Sequence, residues 1–194
     1  MVVEEDPRVD FPAEDRVKRR QAINTLISLT KEADAARRKA VAMNTSLTNL
    51  IESWNQANAP KVPEEVKKAA RDLAARVKAA AAVFENQGGG GRGGGGGGSA
   101  GPPPAYAPPP VTQKITRVMG AVDGFSGPPT SRQLSDIQDA TAELQKGQAE
   151  VNKLWDEVPK LNKLMLDAGV PYFQVMDPST VPAAAGGRGG GEEN

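Results

Sequence analysis

This 194-residue chain contains no histidine and no cysteine. Without cysteine there are no disulfides, no thiolate zinc sites and no thiol catalysis. Without histidine there is no Ser-His-Asp triad and no di-iron bundle built on Glu-x-x-His motifs. Aromatic residues are scarce, at two tryptophans, two tyrosines and four phenylalanines. The 38% apolar fraction leans on alanine instead, which predicts thin helix–helix seams more than a thick globular centre. No apolar run approaches the roughly 18 residues of a membrane span. An excess of one charge is missing too, with 24 basic and 24 acidic residues. Residues 1–86 carry 15 basic and 13 acidic groups, residues 111–194 carry 8 and 11, and Arg92 supplies the remainder. So small a difference creates no long-range field to gather nucleic acid or anionic lipid. After Met1 come Val2, Val3, Glu4, Glu5 and Asp6, with neither the basic nor the apolar region of a signal peptide.

What the chain does have is glycine and proline in one place. Residues 88–101 read GGGGRGGGGGGSAG and hold 11 of the 21 glycines, and PPPAYAPPP follows. Ordering glycine costs more backbone entropy than ordering any other residue, and serial prolines favour an extended, solvated backbone. The tract therefore reads as a disordered linker over residues 87–110. At 24 residues it exceeds the roughly two to eight that a bundle loop usually needs. That length would let the second half return along the first in either direction.

Both halves carry helical periodicity. From about Pro12 to Gln56 the seam runs through Ile23, Leu26, Thr30, Ala33, Arg37, Ala40, Met43, Leu47, Leu50 and Trp54 at steps of three and four. This is a heptad pattern flawed at Thr30 and Arg37. Asn58-Ala59-Pro60 ends that helix, and Pro63-Glu64-Glu65 starts another, with acids at the positive end of its dipole. Val66, Ala70, Leu73, Val77, Ala80 and Phe84 form its seam. The short connection demands an antiparallel hairpin. The second helix covers only the Arg37–Trp54 end of the first, so the Val17–Ala33 end needs another partner.

Beyond the linker, Ile115, Val118, Met119 and Val122 mark a short helix stopped near Asp123-Gly124. Thr130 to Gln133 spells a capping box and opens a long helix. Its expected seam is Leu134, Ile137, Thr141, Leu144, Gln148, Val151, Trp155 and Val158. Pro159 predicts a kink, followed by a last turn or two through Leu161, Leu164 and Met165. Gly169 has the place and chemistry of a C-terminal cap.

No residue earns a catalytic, cofactor-binding or metal-binding assignment, and no cofactor is expected. Asp136 with Asp139 or Glu143 are carboxylate pairs on a helix face, where solvated surface is the better reading. Gly91-Arg92-Gly93-Gly94 and Gly187-Arg188-Gly189-Gly190 resemble RNA-binding glycine–arginine segments, but two isolated arginines without neighbouring aromatics fit a spacer better. Lys18-Arg19-Arg20 and Arg37-Arg38-Lys39 fan around their helix and build no single patch. Pro103-Pro104-Ala105-Tyr106 is a literal PPxY string, the extended ligand of WW domains, and reads as an accident of the linker. Trp54 and Trp155 read as large core anchors near the ends of their seams.

Val2, Val3 and Asp6-Pro7-Arg8, Asp123 with Pro129-Thr130, Trp155, and the stretch from Leu161-Asn162 to Ala168-Gly169 together form a pattern. It resembles the C-terminal helical region that follows the sortilin-like, BNR-repeat β-propeller of large bacterial proteins often labelled glycosyl hydrolases. The resemblance implies a strand running from an Ig-like module into Asp-Pro-Arg and then a long helix. It also implies an exported parent, of which this chain is the tail or a fragment, with no catalytic residue carried over.

The resulting expectation is an all-α chain of two antiparallel helical hairpins, forming an elongated coiled-coil-like bundle around a disordered linker. Its parts are a strand remnant at 1–11, a first hairpin at 12–86, the linker at 87–110, a second hairpin at 111–172 and a disordered tail at 173–194. The expected function is a non-catalytic structural or interaction module carried by Leu26, Ala33, Ala40, Leu47, Trp54, Leu144, Val151 and Trp155. Its partner would be a protein, either an upstream propeller or Ig-like module or a second copy joined through the heptad seams. Neither nucleic acid nor membrane is expected. RNA binding through the glycine–arginine segments is the alternative, and an accessory part of a glycoside hydrolase is a weaker one.

Overall fold

The structure, a computed structural model, describes residues 12–56, 61–85, 108–125 and 127–175. Among these residues every regular element is an α-helix: α1 (Ala13–Ser53), α2 (Glu64–Ala82), α3 (Val111–Asp123), α4 (Ser131–Trp155) and α5 (Val158–Asp167). The strand remnant expected at 1–11 lies outside the described residues, as do the greater part of the linker and most of the tail.

The 41 residues of α1 make a rod about 60 Å long at 1.5 Å per residue. Two sets of helices pack along it. Alpha-2 runs antiparallel to its second half, and Arg37 near the middle of α1 meets Glu85 just past the end of α2. Alpha-3 takes over along the first half, where Arg19 donates to the carbonyl oxygens of Val122 and Asp123. The Val17–Ala33 end thus receives the partner it needed. Alpha-4 runs parallel to α1, with Lys39 reaching the Asn152 side chain at 2.9 Å and lying 4.6 Å from the centre of the Trp155 ring. Alpha-5 continues beyond α4 and packs on α2. Both antiparallel hairpins, α1/α2 and α3/α4, are present, and together they form a single bundle of three rows.

Each row buries a heptad seam. In α1 the core residues are Ala22, Leu26, Leu29, Ala33, Ala36, Ala40, Met43 and Leu47, alternating steps of four and three without a flaw. Thr30 and Arg37, expected on the seam, lie beside it. Thr30 is exposed and bonds back to the Leu26 carbonyl, while Arg37 is half-buried in ion pairs. Leu29 and Ala36 take the core positions.

Alpha-4 shows the same one-residue displacement. Its core is Ile137, Ala140, Leu144, Gly147, Val151 and Leu154, in place of Thr141, Gln148 and Trp155, and Leu134 is 47% exposed. The cause is close packing. A seam rich in alanine brings helix axes together, so the smaller or more apolar residue of a neighbouring pair fits inside and the bulkier or polar one is left on the flank. Alpha-2 and α3 follow the expected seams throughout, except that Met119 is half-buried.

The ends are determined locally. Thr130 accepts from the Gln133 amide, and the Gln133 side chain accepts in return from the Thr130 amide, completing the capping box. Pro159 stands in the first turn of α5, where its missing N–H costs nothing, and the helix is interrupted before it by a turn at Asp156-Glu157. Gly169 adopts φ +68°, and the Val170 amide bonds the Met165 carbonyl at 2.8 Å while Gly169 bonds Leu166. This is a Schellman cap, with Val170 and Met165 both buried as its apolar contact.

Candidate functional site

The waist of the bundle, where α2 ends and α3 begins, gathers the most side-chain chemistry. Phe84 is the largest of the fully buried side chains, and its ring lies in a notch left by Gly147 of α4. Outside it, Arg37 bridges Asp34 at 3.0 Å and Glu85 at 2.8 Å. The hydrogen bonds that Arg37 donates to Glu85 and Asp34 raise its pKa further above the ordinary value, so the guanidinium stays charged. Lys114 of α3 meets Glu143 of α4 at 2.5 Å on the neighbouring face. A groove of about 530 Å³ opens at this level, lined by Arg37, Glu85, Thr112, Gln113 and Thr116 among others. Among the described residues that line it, the charged groups are Arg37 and Glu85, which bond each other.

A second groove, of about 330 Å³, lies between the first turns of α1 and α4, against Lys18, Gln21, Thr25, Pro129 and Leu134. Of its polar side chains, Lys18 bonds Asp15 and Thr25 donates to the Gln21 carbonyl. Among the described residues no three histidine, cysteine, aspartate or glutamate side chains group as metal ligands would. Among the same residues no buried side-chain polar atom lacks a partner, and no polar or charged residue is buried at all.

The residues singled out by sequence have structural employment. Glu143 pairs with Lys114, Asp136 pairs with Arg132 at 3.0 Å, and Asp139 is exposed. Within the basic clusters, Lys18 bonds Asp15, Arg19 caps α3, Arg38 pairs with Asp34 and Lys39 covers Trp155. Trp54 and Trp155 are half-buried and pack against the core from its flank. The glycine–arginine strings and the PPxY string lie outside the described residues. Sequence reading missed Gly147, whose value depends on a ring from another helix.

No protein-family model, curated protein or solved structure matches the chain. The resemblance to the region following BNR-repeat propellers therefore stands on its sequence motifs alone.

Proposed function

We propose that this chain is a non-catalytic structural module, a self-contained helical rod that works by holding its outer faces in fixed relation for contact with other protein. One observation carries the reading: the described interior is a single apolar cluster running through all five helices, with no polar residue buried in it. Catalytic and cofactor sites depend on polar groups held in partly dry surroundings. Here every apolar seam is spent on packing, and the flanks are spent on ion pairs between helices.

Leu26, Ala33, Ala40, Leu47, Leu144 and Val151 are buried within the chain itself. This favours contact through outer faces over a second copy joined by those seams. The version implied by the resemblance, contact with a neighbouring propeller or Ig-like module, is compatible with such a rod. The RNA-binding alternative draws on Arg92 and Arg188 and on no described residue.

The test is sedimentation combined with circular dichroism on the whole chain. An elongated monomer with one cooperative, concentration-independent melt is the expected result. A melting temperature that climbs with protein concentration would move the reading to a dimer joined through the seams. Cleavage of polysaccharide by the isolated chain would overturn it.

A further inference from the structure

Three relationships at the waist, independent of one another, concern how α2 meets α3. The first is the hydrogen bonding. The Val111 amide donates to the Val83 carbonyl at 2.9 Å, and the Thr112 hydroxyl donates to the Phe84 carbonyl at 2.9 Å. If Val111 stood four residues after Val83, the first would be an ordinary helical bond. The second would then be the same back-bond to the carbonyl four residues earlier that Thr25, Thr30, Thr48, Thr116 and Thr141 make.

The second relationship is the seam. Alpha-2 buries Ala70, Leu73, Val77, Ala80 and then Phe84, and α3 buries Val111, Ile115, Val118 and Val122. Placing Val111 at position 87 makes the step from Phe84 three. The alternation of three and four then continues to Val122 without a break.

The third is the pairing with α4. Along an antiparallel pair one helix advances as the other retreats, so partners' residue numbers add to a near-constant total. Phe84 against Gly147 totals 231 and Arg76 with Glu157 totals 233. On α3, Ala121 with Gln133 totals 254 and Lys114 with Glu143 totals 257. Taking 24 from the α3 numbers brings these to 230 and 233, the same line. Hydrogen bonds, seam and pairing all give the shift of 24.

We propose that α2 and α3 are two parts of one heptad-registered helix, and that residues 87–110 are an insertion into it which the bundle does not need in order to fold. On this proposal the tract is an insertion rather than a spacer between hairpins. Val83 and Val111 already touch, so the connection has no distance to cross. Whatever residues 87–110 contribute is separable from the fold, and the waist at Arg37, Glu85 and Thr112 is the place where this rod accommodates added sequence. This goes beyond the structural-module reading and does not depend on it.

Two deletions in the full chain test the proposal. Removing residues 87–110 joins Asn86 to Val111 in phase. Removing residues 89–110 leaves two extra residues and turns α3 by about 200°, with its apolar face outward. Thermal melting followed by circular dichroism should place the in-phase deletion at or above the full chain. The out-of-phase deletion should melt lower by about 10 °C or more, since α3 then loses four buried residues. An in-phase deletion that melts below the full chain, or two deletions that melt alike, would overturn the proposal. Where aggregation obscures melting, hydrogen exchange of the α3 amides separates the two variants: protected in the first, open in the second.

Discussion

A methyl group on Gly147 would lie 2.8 Å from the Cζ of Phe84 and 3.2 Å from the Cγ1 of Val83. The Phe84 ring is 1% exposed, and this ring-in-notch contact fits the end of α2 against α4.

Gly147→Ala is therefore expected to destabilise the chain by about 1–2 kcal/mol. The overpacking cost outweighs the roughly 1 kcal/mol that alanine gains over glycine within a helix. Phe84→Ala is expected to cost about 3–5 kcal/mol by emptying the same site. The double variant should cost less than the two single costs combined, because removing the ring removes the clash. Urea unfolding of the four proteins checks this coupling, and strictly additive costs would refute the contact.

Arg76 donates two hydrogen bonds of 2.7 Å to the two carboxylate oxygens of Glu157. These bonds hold the Glu157 carboxyl below the usual carboxylate range. Because its pKa is lower folded than unfolded, the stabilisation is present above the unfolded value of about 4.3. It is lost as pH falls through the lower folded value. The pair is partly open to water, so the contribution is under about 1 kcal/mol and shrinks in salt. Comparing the stability of the chain with that of Glu157→Gln from pH 7 down to pH 3 should show the gap between them closing as the pH falls. A constant gap would assign the effect to packing.

Gln133 does two jobs at the turn between α3 and α4. Its Oε1 accepts from the Thr130 amide at 2.8 Å and its Nε2 donates to the Ala121 carbonyl at 2.9 Å. Thr130→Ala should cost about 1 kcal/mol as an ordinary lost cap. Gln133→Ala should cost at least as much and also loosen the end of α3. The measurement is hydrogen exchange at Gly124, whose amide bonds Gly120, and at the last amides of α3. Unchanged protection there in Gln133→Ala would remove the second job.

Much of the fold was legible because heptads, caps and breakers act locally. The capping box at Thr130, the glycine cap at Gly169 and the α2 seam from Val66 to Phe84 each follow from a few adjacent residues. The periodicity of α1 and α4 points one residue too far along at Thr30, Arg37, Thr141, Gln148 and Trp155. In each case a small or aliphatic neighbour, Leu29, Ala36, Ala140, Gly147 or Leu154, holds the core position. Deciding between such neighbours requires knowing how closely the facing helix approaches, which periodicity within one helix does not contain. The waist stayed hidden for a different reason. The 24-residue shift that puts Val111 in register with Phe84 is visible only once α2 and α3 are known to lie end to end. The length of residues 87–110 left open in which direction the second half returns along the first.

The central claim is that α2 and α3 lie in line along one side of α1, and a single distance tests it most directly. The chain has no native cysteine, so Glu65→Cys and Arg117→Cys, both at exposed positions, accept spin labels without interference. If the two helices continue one another with a shift of 24, the labelled backbone positions stand 28 helical steps apart. At 1.5 Å per step that is about 42 Å. Pulsed electron–electron double resonance on the full chain should return one narrow distribution near that value. A dominant distance below about 25 Å, as for two helices packed side by side at the usual 8–10 Å with labels attached, would contradict the account.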